Sequence, residues 1–139
     1  MTRSYTRYVL SALFVAAGVL HFAAPAFYVA IMPPYLPWPR ALVYVSGGAE
    51  VAGGVGLLLE PPVRQWASLG LMALLLAVFP ANVHMTHEAV ATRGWGAPYT
   101  LGTLARLPFQ FVLLGIVWWA GWAAGRRGEE ERAEAEPKS

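Results

Sequence analysis

The chain has 139 residues, of which 57% are hydrophobic and only 13% charged, with a formal net charge of +2 and a mean hydropathy of +0.47. A soluble domain needs roughly 25% charged residues to cover its surface, so the deficit points to lipid as the solvent of a single domain. The arginines form no stripe with interleaved aromatics, which leaves nucleic acid without support as a partner, and the absence of cysteine excludes disulfides, thiolate metal sites and thiol redox chemistry.

Residues 1–7 are polar, and an apolar run follows from Tyr8 to Met32, broken by His21 and Pro25. A basic start before an apolar stretch is also the pattern of a secretory signal, with Ala23-Ala24 as a cleavage-like site. Pro25 directly after that cut, and the apolar run beyond it, argue for a retained span. A crossing needs about 20 residues, which sets the first span at residues 7–25, kinked or ended by Pro25. Pro33, Pro34, Pro37 and Pro39 make the next connection stiff and extended. The second span reads over residues 40–59, because proline is tolerated in a first helical turn, and it ends before Pro61-Pro62. The third covers residues 65–83, with Pro80 near its end. A polar stretch from His84 to Thr103 reads as a loop around the turn-forming Gly94 to Pro98. The fourth span covers residues 104–124 and is stopped by Arg126 and Arg127. Residues 126–139 make an acidic tail with five glutamates, disordered or a frayed helical extension. The domain proper is therefore 1–125, an all-α four-transmembrane-helix bundle.

Four spans put both termini on one side, together with Arg3, Arg7, Arg64, Arg126 and Arg127, while Arg40, Arg93 and Arg106 lie on the other. Positive charge favours the cytoplasm, so both termini are expected to be cytoplasmic in a multi-pass protein of the cell membrane. The aromatics fall into matching interfacial belts, Tyr5, Tyr8, Trp66, Trp118, Trp119 and Trp122 against Tyr28, Tyr35, Trp38, Tyr44, Trp95 and Tyr99.

One acidic residue, Glu50, lies inside an apolar segment. A carboxylate at the centre of a membrane helix costs about 2.5–3.5 kcal/mol on insertion scales, so it faces a partner or a wet cavity. Its helical neighbours are Ser46, Gly47, Gly53 and Gly54, which make this the smallest side of the helix and a close-packing one. Gly47, Gly48, Gly53 and Gly54 are the expected packing glycines. At 1.5 Å per residue Glu50 lies roughly 15 Å below the outer end of its helix, and His21 between about 5 and 16 Å below the outer end of the first. Asn82, Arg106 and Gln110 fall in outer turns of the third and fourth spans. These five residues, His21, Glu50, Asn82, Arg106 and Gln110, are the expected lining of a polar pocket in the outer half of the bundle. The alternatives are that they satisfy one another and fix helix register, that Arg106 snorkels to the headgroups, and that Asn82 caps carbonyls freed by Pro80. His84, His87 and Glu88 share one face of a helical turn and are weak metal candidates in type only; no catalytic set and no nucleotide fingerprint stands out.

Several stretches, in this order, resemble the DoxX-like family of small four-helix membrane proteins. They are Gly18-Val19-Leu20-His21-Phe22, the connection Ile31-Met32-Pro33-Pro34-Tyr35-Leu36-Pro37, and Ser46-Gly47-Gly48-Ala49-Glu50 with Gly53-Gly54. Val78-Phe79-Pro80-Ala81-Asn82-Val83-His84-Met85 and Arg106-Leu107-Pro108-Phe109-Gln110 complete the set. DoxX-named proteins have been linked to membrane oxidoreductase complexes, and a related subunit belongs to a thiosulfate:quinone oxidoreductase. A more distant animal branch acts as an assembly chaperone. The resemblance implies an accessory, non-catalytic subunit of a quinone-linked membrane complex, with quinone as its ligand and an oxidoreductase or a second copy as partner. A solute or proton binding or transport protein, and a bare scaffold, are the other readings.

Overall fold

The computed structural model describes the backbone of residues 3–135 and the side chains up to 122. Five helices account for most of it, with no strand among the described residues: α1 (Arg3–Ala23), α2 (Pro25–Ala30), α3 (Pro39–Gly56), α4 (Val63–Arg93) and α5 (Pro98–Ala135). Three of these, α1, α4 and α5 as far as Trp122, are long and apolar enough to cross a membrane, with mean hydropathies of 1.4, 1.8 and 1.5. α3 is not among them: Arg40, Glu50 and its glycines lower its hydropathy, and it has only 18 residues.

Prolines set several boundaries. α1 stops at Ala23, and Pro25 opens the short α2, so the break expected at Pro25 falls one turn after His21. Pro39 stands in the first turn of α3, where its missing N–H leaves no hydrogen bond unmade. Two expected ends are corrected. α4 does not stop at residue 83 but runs through His84, His87 and Glu88 to Arg93, because no breaker intervenes before Gly94, which takes a φ of +80°. α5 starts at Pro98, not 104, and continues past Arg126 and Arg127 to Ala135, which is the helical one of the two forms expected of the tail. The residues after 125 are rich in Glu, Arg and Ala, all good helix formers, so leaving an apolar environment does not end the helix. Residues 136–139 of the expected tail lie outside the described residues.

The helices pack in a ring, α1 on α3, α3 on α4, α4 on α5, with α5 closing onto α1 and α2 lying across α1 and α3. A buried cluster of Leu10, Phe14, Leu57, Leu71, Leu75, Val117 and Ala120 fills the middle. The outside is equally apolar: Leu13, Leu20, Val45, Leu76, Phe109 and Phe111 are each at least half exposed. A surface this apolar on every long helix is suited to lipid contact.

Glycines decide how near the backbones come. A Cβ on Gly18 would lie 2.6 Å from the carbonyl oxygen of Gly47, and one on Gly47 would lie 2.6 Å from Cβ of His21. Gly54 sits against the Ser11 carbonyl and Phe14, and Gly53 against Leu71 of α4. Gly48 departs from the expected packing set: a Cβ there would meet nothing within 4 Å, because one residue's rotation from Gly47 turns it away from α1.

Candidate functional site

The α1–α3 contact carries a largely buried acid–base pair. Because Gly18 and Gly47 let the helices touch, the side chains of His21 and Glu50 meet beside them, with Nδ1 of His21 3.4 Å from Oε2 of Glu50. The same Nδ1 lies 2.8 Å from the carbonyl oxygen of Ala17, one turn back in α1. A carbonyl only accepts, so Nδ1 bears a hydrogen and gives it to Ala17. Glu50 Oε2 is left buried without a hydrogen-bond partner. The pair is thus an ion pair by distance and not a hydrogen bond by geometry.

Tyr28 completes this corner. The break at Ala24 lets α2 fold back, and its Tyr28 ring stacks on the His21 imidazole with centroids 3.8 Å apart and planes 21° from parallel. Tyr28 lies outside the three membrane-length helices; burial and the nearby Glu50 push its phenol above the ordinary tyrosine range, and Arg106 partly offsets them. The sequence places Tyr28 only in an aromatic belt. A proline four residues after His21, followed by a short apolar piece with one tyrosine, is the signal that could have brought it to the histidine.

Asn82 and Gln110 form a second pair across α4 and α5. Asn82 Nδ2 donates to Gln110 Oε1 at 2.7 Å, and Gln110 Nε2 donates to the carbonyl of Leu75. Leu75 lies five residues before Pro80, so the carbonyl that Gln110 serves from the neighbouring helix is one residue short of Leu76, whose carbonyl the proline leaves without its helical donor. Thr86 in turn donates to the Asn82 carbonyl at 2.9 Å. Two more bonds of the same kind lace this seam, Ser68 to the Val117 carbonyl and Thr100 to the Ala89 carbonyl, one towards each end. Neither Ser68 nor Thr100 stands out in sequence, because hydroxyls on apolar helices are common and only the register shows their use.

Four of the five expected pocket residues therefore come together as two pairs, and no hydrogen bond or ion pair joins His21–Glu50 to Asn82–Gln110. Arg106 is exposed and acts on Tyr28 only through its charge. Two depressions in the surface of the described residues lie elsewhere. One, about 400 Å³, is bordered by His84, Glu88, Arg93 and Tyr99; the other, about 380 Å³, by Tyr35, His84 and His87. Among the described residues no group of three or more His, Asp or Glu side chains is placed to hold a metal ion.

Residues 10–123, nearly the whole bundle, match a family described as a domain of unknown function (DUF8561). The chain belongs to this family. No curated protein and no solved structure matches the chain. The family description carries no activity, so the chemistry rests on the residues of the α1–α2–α3 corner.

Proposed function

We propose that this is a multi-pass protein of the cell membrane, of the DoxX-like type, that holds a hydrogen-bond-donating ligand at Glu50. α3 is its fourth span. It lies antiparallel along α1 from Gly18–Gly47 to Ser11–Gly54, and at 1.5 Å per residue its length is about 27 Å, close to the hydrocarbon thickness. Exposed Tyr5, Tyr8, Trp66 and Trp122 mark one interface, and Tyr35, Trp38 and Trp95 the other. With Arg3, Arg7 and Arg64 at the end where the chain starts, both termini are cytoplasmic.

The observation that carries the binding role is Glu50 Oε2, an acceptor withdrawn from solvent with no donor of its own. A buried, unpaired carboxylate oxygen is a standing penalty that a ligand hydroxyl relieves. The DoxX-like resemblance supplies the setting: an accessory subunit of a quinone-linked membrane complex, in which a quinol hydroxyl donates to Glu50 while Tyr28 and His21 offer aromatic faces to its ring. The test is organic extraction of the protein purified in mild detergent, with mass spectrometry for quinones. Wild type should carry quinone, and Glu50→Gln, which forfeits a charge-assisted bond of about 1.5–3 kcal/mol, should bind it about 10- to 150-fold more weakly. Wild-type protein that neither retains nor takes up quinone ends this reading.

A proton or a small solute is the second reading, favoured by one observation: the unpartnered Glu50 Oε2 stands 3.4 Å from the His21 imidazole, an acid–base pair that can take up and release a proton. In liposomes enclosing a pH-sensitive dye, wild type would then pass protons and Glu50→Gln would not.

A further inference from the structure

α4 runs on from residue 83, the expected end of its span, to Arg93, and this extension is not merely a longer helix. His84, Glu88 and Thr92 recur at every fourth position, so they stand one above another on one face. That face lines the depression of about 400 Å³, together with Ile31 and Pro34 after α2 and Tyr99 in the first turn of α5. The volume falls within the range of small-molecule sites, about 300–1,000 Å³. Buried Met85 and Ala89 give the depression an apolar part. Arg93, in the last turn of α4, lines it too, and its guanidinium carbon stands 4.6 Å over the Tyr99 ring centroid. Stacking engages the flat face of a guanidinium and leaves its N–H edge for another partner. Thr92 gives its hydroxyl hydrogen to the main-chain carbonyl of Glu88, at 2.7 Å, and so leaves the carboxylate to other donors. Glu88 and Arg93 thus bring opposite charges to one depression without forming an ion pair with each other.

We propose that this depression binds a small zwitterion, an ammonium joined to an oxyanion by a short link. Glu88 accepts from the ammonium, the edge of Arg93 donates to the oxyanion, and the link lies against Met85 and Ala89. A ligand bearing one charge alone meets a like charge in the same depression, which is a basis for discrimination. At 1.5 Å per residue His84 stands about 31 Å along α4 from Val63, which is the outer headgroup level on the membrane reading proposed above. The zwitterion therefore has two sources, the headgroup of phosphatidylethanolamine and a free amino-phosphate in solution; the first rests on that membrane reading and the second does not. The site shares no residue with the His21–Glu50 corner, so either assignment can fail without the other.

The experiment uses the full chain in a neutral detergent, with added lipids read by native mass spectrometry and soluble phosphoethanolamine by calorimetry. Phosphatidylethanolamine should be retained in preference to phosphatidylglycerol, which has no ammonium, and to phosphatidylcholine, whose ammonium has no N–H. Glu88→Gln and Arg93→Gln should each weaken phosphatidylethanolamine binding about tenfold, the loss of one charge-assisted bond. Both positions are exposed, so unchanged melting temperatures should show that the variants fold. Phosphatidylglycerol separates a paired site from a merely charged surface: Arg93→Gln should weaken it, and Glu88→Gln should leave it unchanged or strengthen it. If phosphoethanolamine binds, both variants lose it, and the three lipids are retained alike, the free zwitterion is the ligand and the site stands. Equal retention of the three lipids without phosphoethanolamine binding, or undiminished binding of both zwitterions in Glu88→Gln, overturns the proposal.

Discussion

The hydrogen on Nδ1 of His21 goes to the carbonyl of Ala17, 2.8 Å away, and not to Glu50, whose Oε2 stands 3.4 Å off. The imidazole is held by its own helix, by the Tyr28 ring stacked on its face, and by Gly47 against its Cβ. Glu50 is the partner without a bond. Substituting it should therefore leave the fold standing. A carboxyl oxygen buried without a hydrogen bond is itself a cost, which an amide of the same size does not raise, and the His21 Nδ1 hydrogen keeps its Ala17 acceptor in either case. Glu50→Gln should melt at or above the wild-type temperature while losing ligand. A clear fall in melting temperature would mean that the His21–Glu50 pair holds the helices together.

Tyr28 covers this corner from a helix of only six residues, which is bounded by Ala24 and by the proline-rich connection. Removing its ring should uncover the carboxyl. Tyr28→Ala forfeits a stacked pair worth about 0.5–1.5 kcal/mol and should accelerate labelling of Glu50 by a lipophilic carbodiimide. Peptide mass spectrometry reads the modified position, and Glu50→Gln gives the background. Labelling at the wild-type rate in Tyr28→Ala would mean that α2 does not close the site.

Alkaline pH tests the same ring. Tyr28 loses its proton at higher pH in the folded chain than in the unfolded one, chiefly through burial and then through Glu50. As pH rises past the ordinary tyrosine value near 10, the unfolded state gives up its proton first, so the folded state loses ground from there upward. Melting curves of wild type should fall more steeply above that pH than those of Tyr28→Phe, and the two should run parallel at neutral pH.

The sequence discloses the bundle better than the site, for reasons that particular residues show. Pro25, Pro39 and Gly94 act through backbone sterics, which are local, so helix starts and stops at those positions follow directly from residue type. The ends of α4 and α5 do not, because His84 to Arg93 and the Glu-rich stretch after Arg127 are polar yet helix-forming, and polarity says nothing about where a hydrogen-bonded ladder stops. Depth counting puts His21 and Glu50 within reach of one another. It does not give azimuth, so it also gathers Asn82 and Gln110, which pair across a different seam, and Arg106, which is exposed. Tyr28 escapes because its position depends on the fold-back at Ala24.

Gly47 and Gly48 separate packing from composition. They are adjacent and equally small, yet only Gly47 faces α1, where an added Cβ would come within 2.6 Å of His21 and 2.9 Å of the Gly18 carbonyl. Gly47→Leu must force α1 and α3 apart, an overpacking that typically costs about 1–3 kcal/mol, and should lower the melting temperature and disturb His21. Gly48→Leu projects into open space and should change little in the monomer. A shift to smaller oligomers on size exclusion in Gly48→Leu alone would instead reveal that this face meets a second copy.

Gln110 is the hinge of the α4–α5 seam, accepting from Asn82 and donating to the Leu75 carbonyl. Interhelical hydrogen bonds in membranes average only about 0.6 kcal/mol, so Asn82→Ala alone should be mild. Gln110→Leu is expected to be worse, because it removes two bonds at once and leaves the Asn82 amide without its acceptor between packed helices. In a double-mutant cycle the pair should show positive coupling, since once Gln110 is gone Asn82 has nothing to orient. Additive effects would mean that Asn82 acts through Thr86 and its own helix.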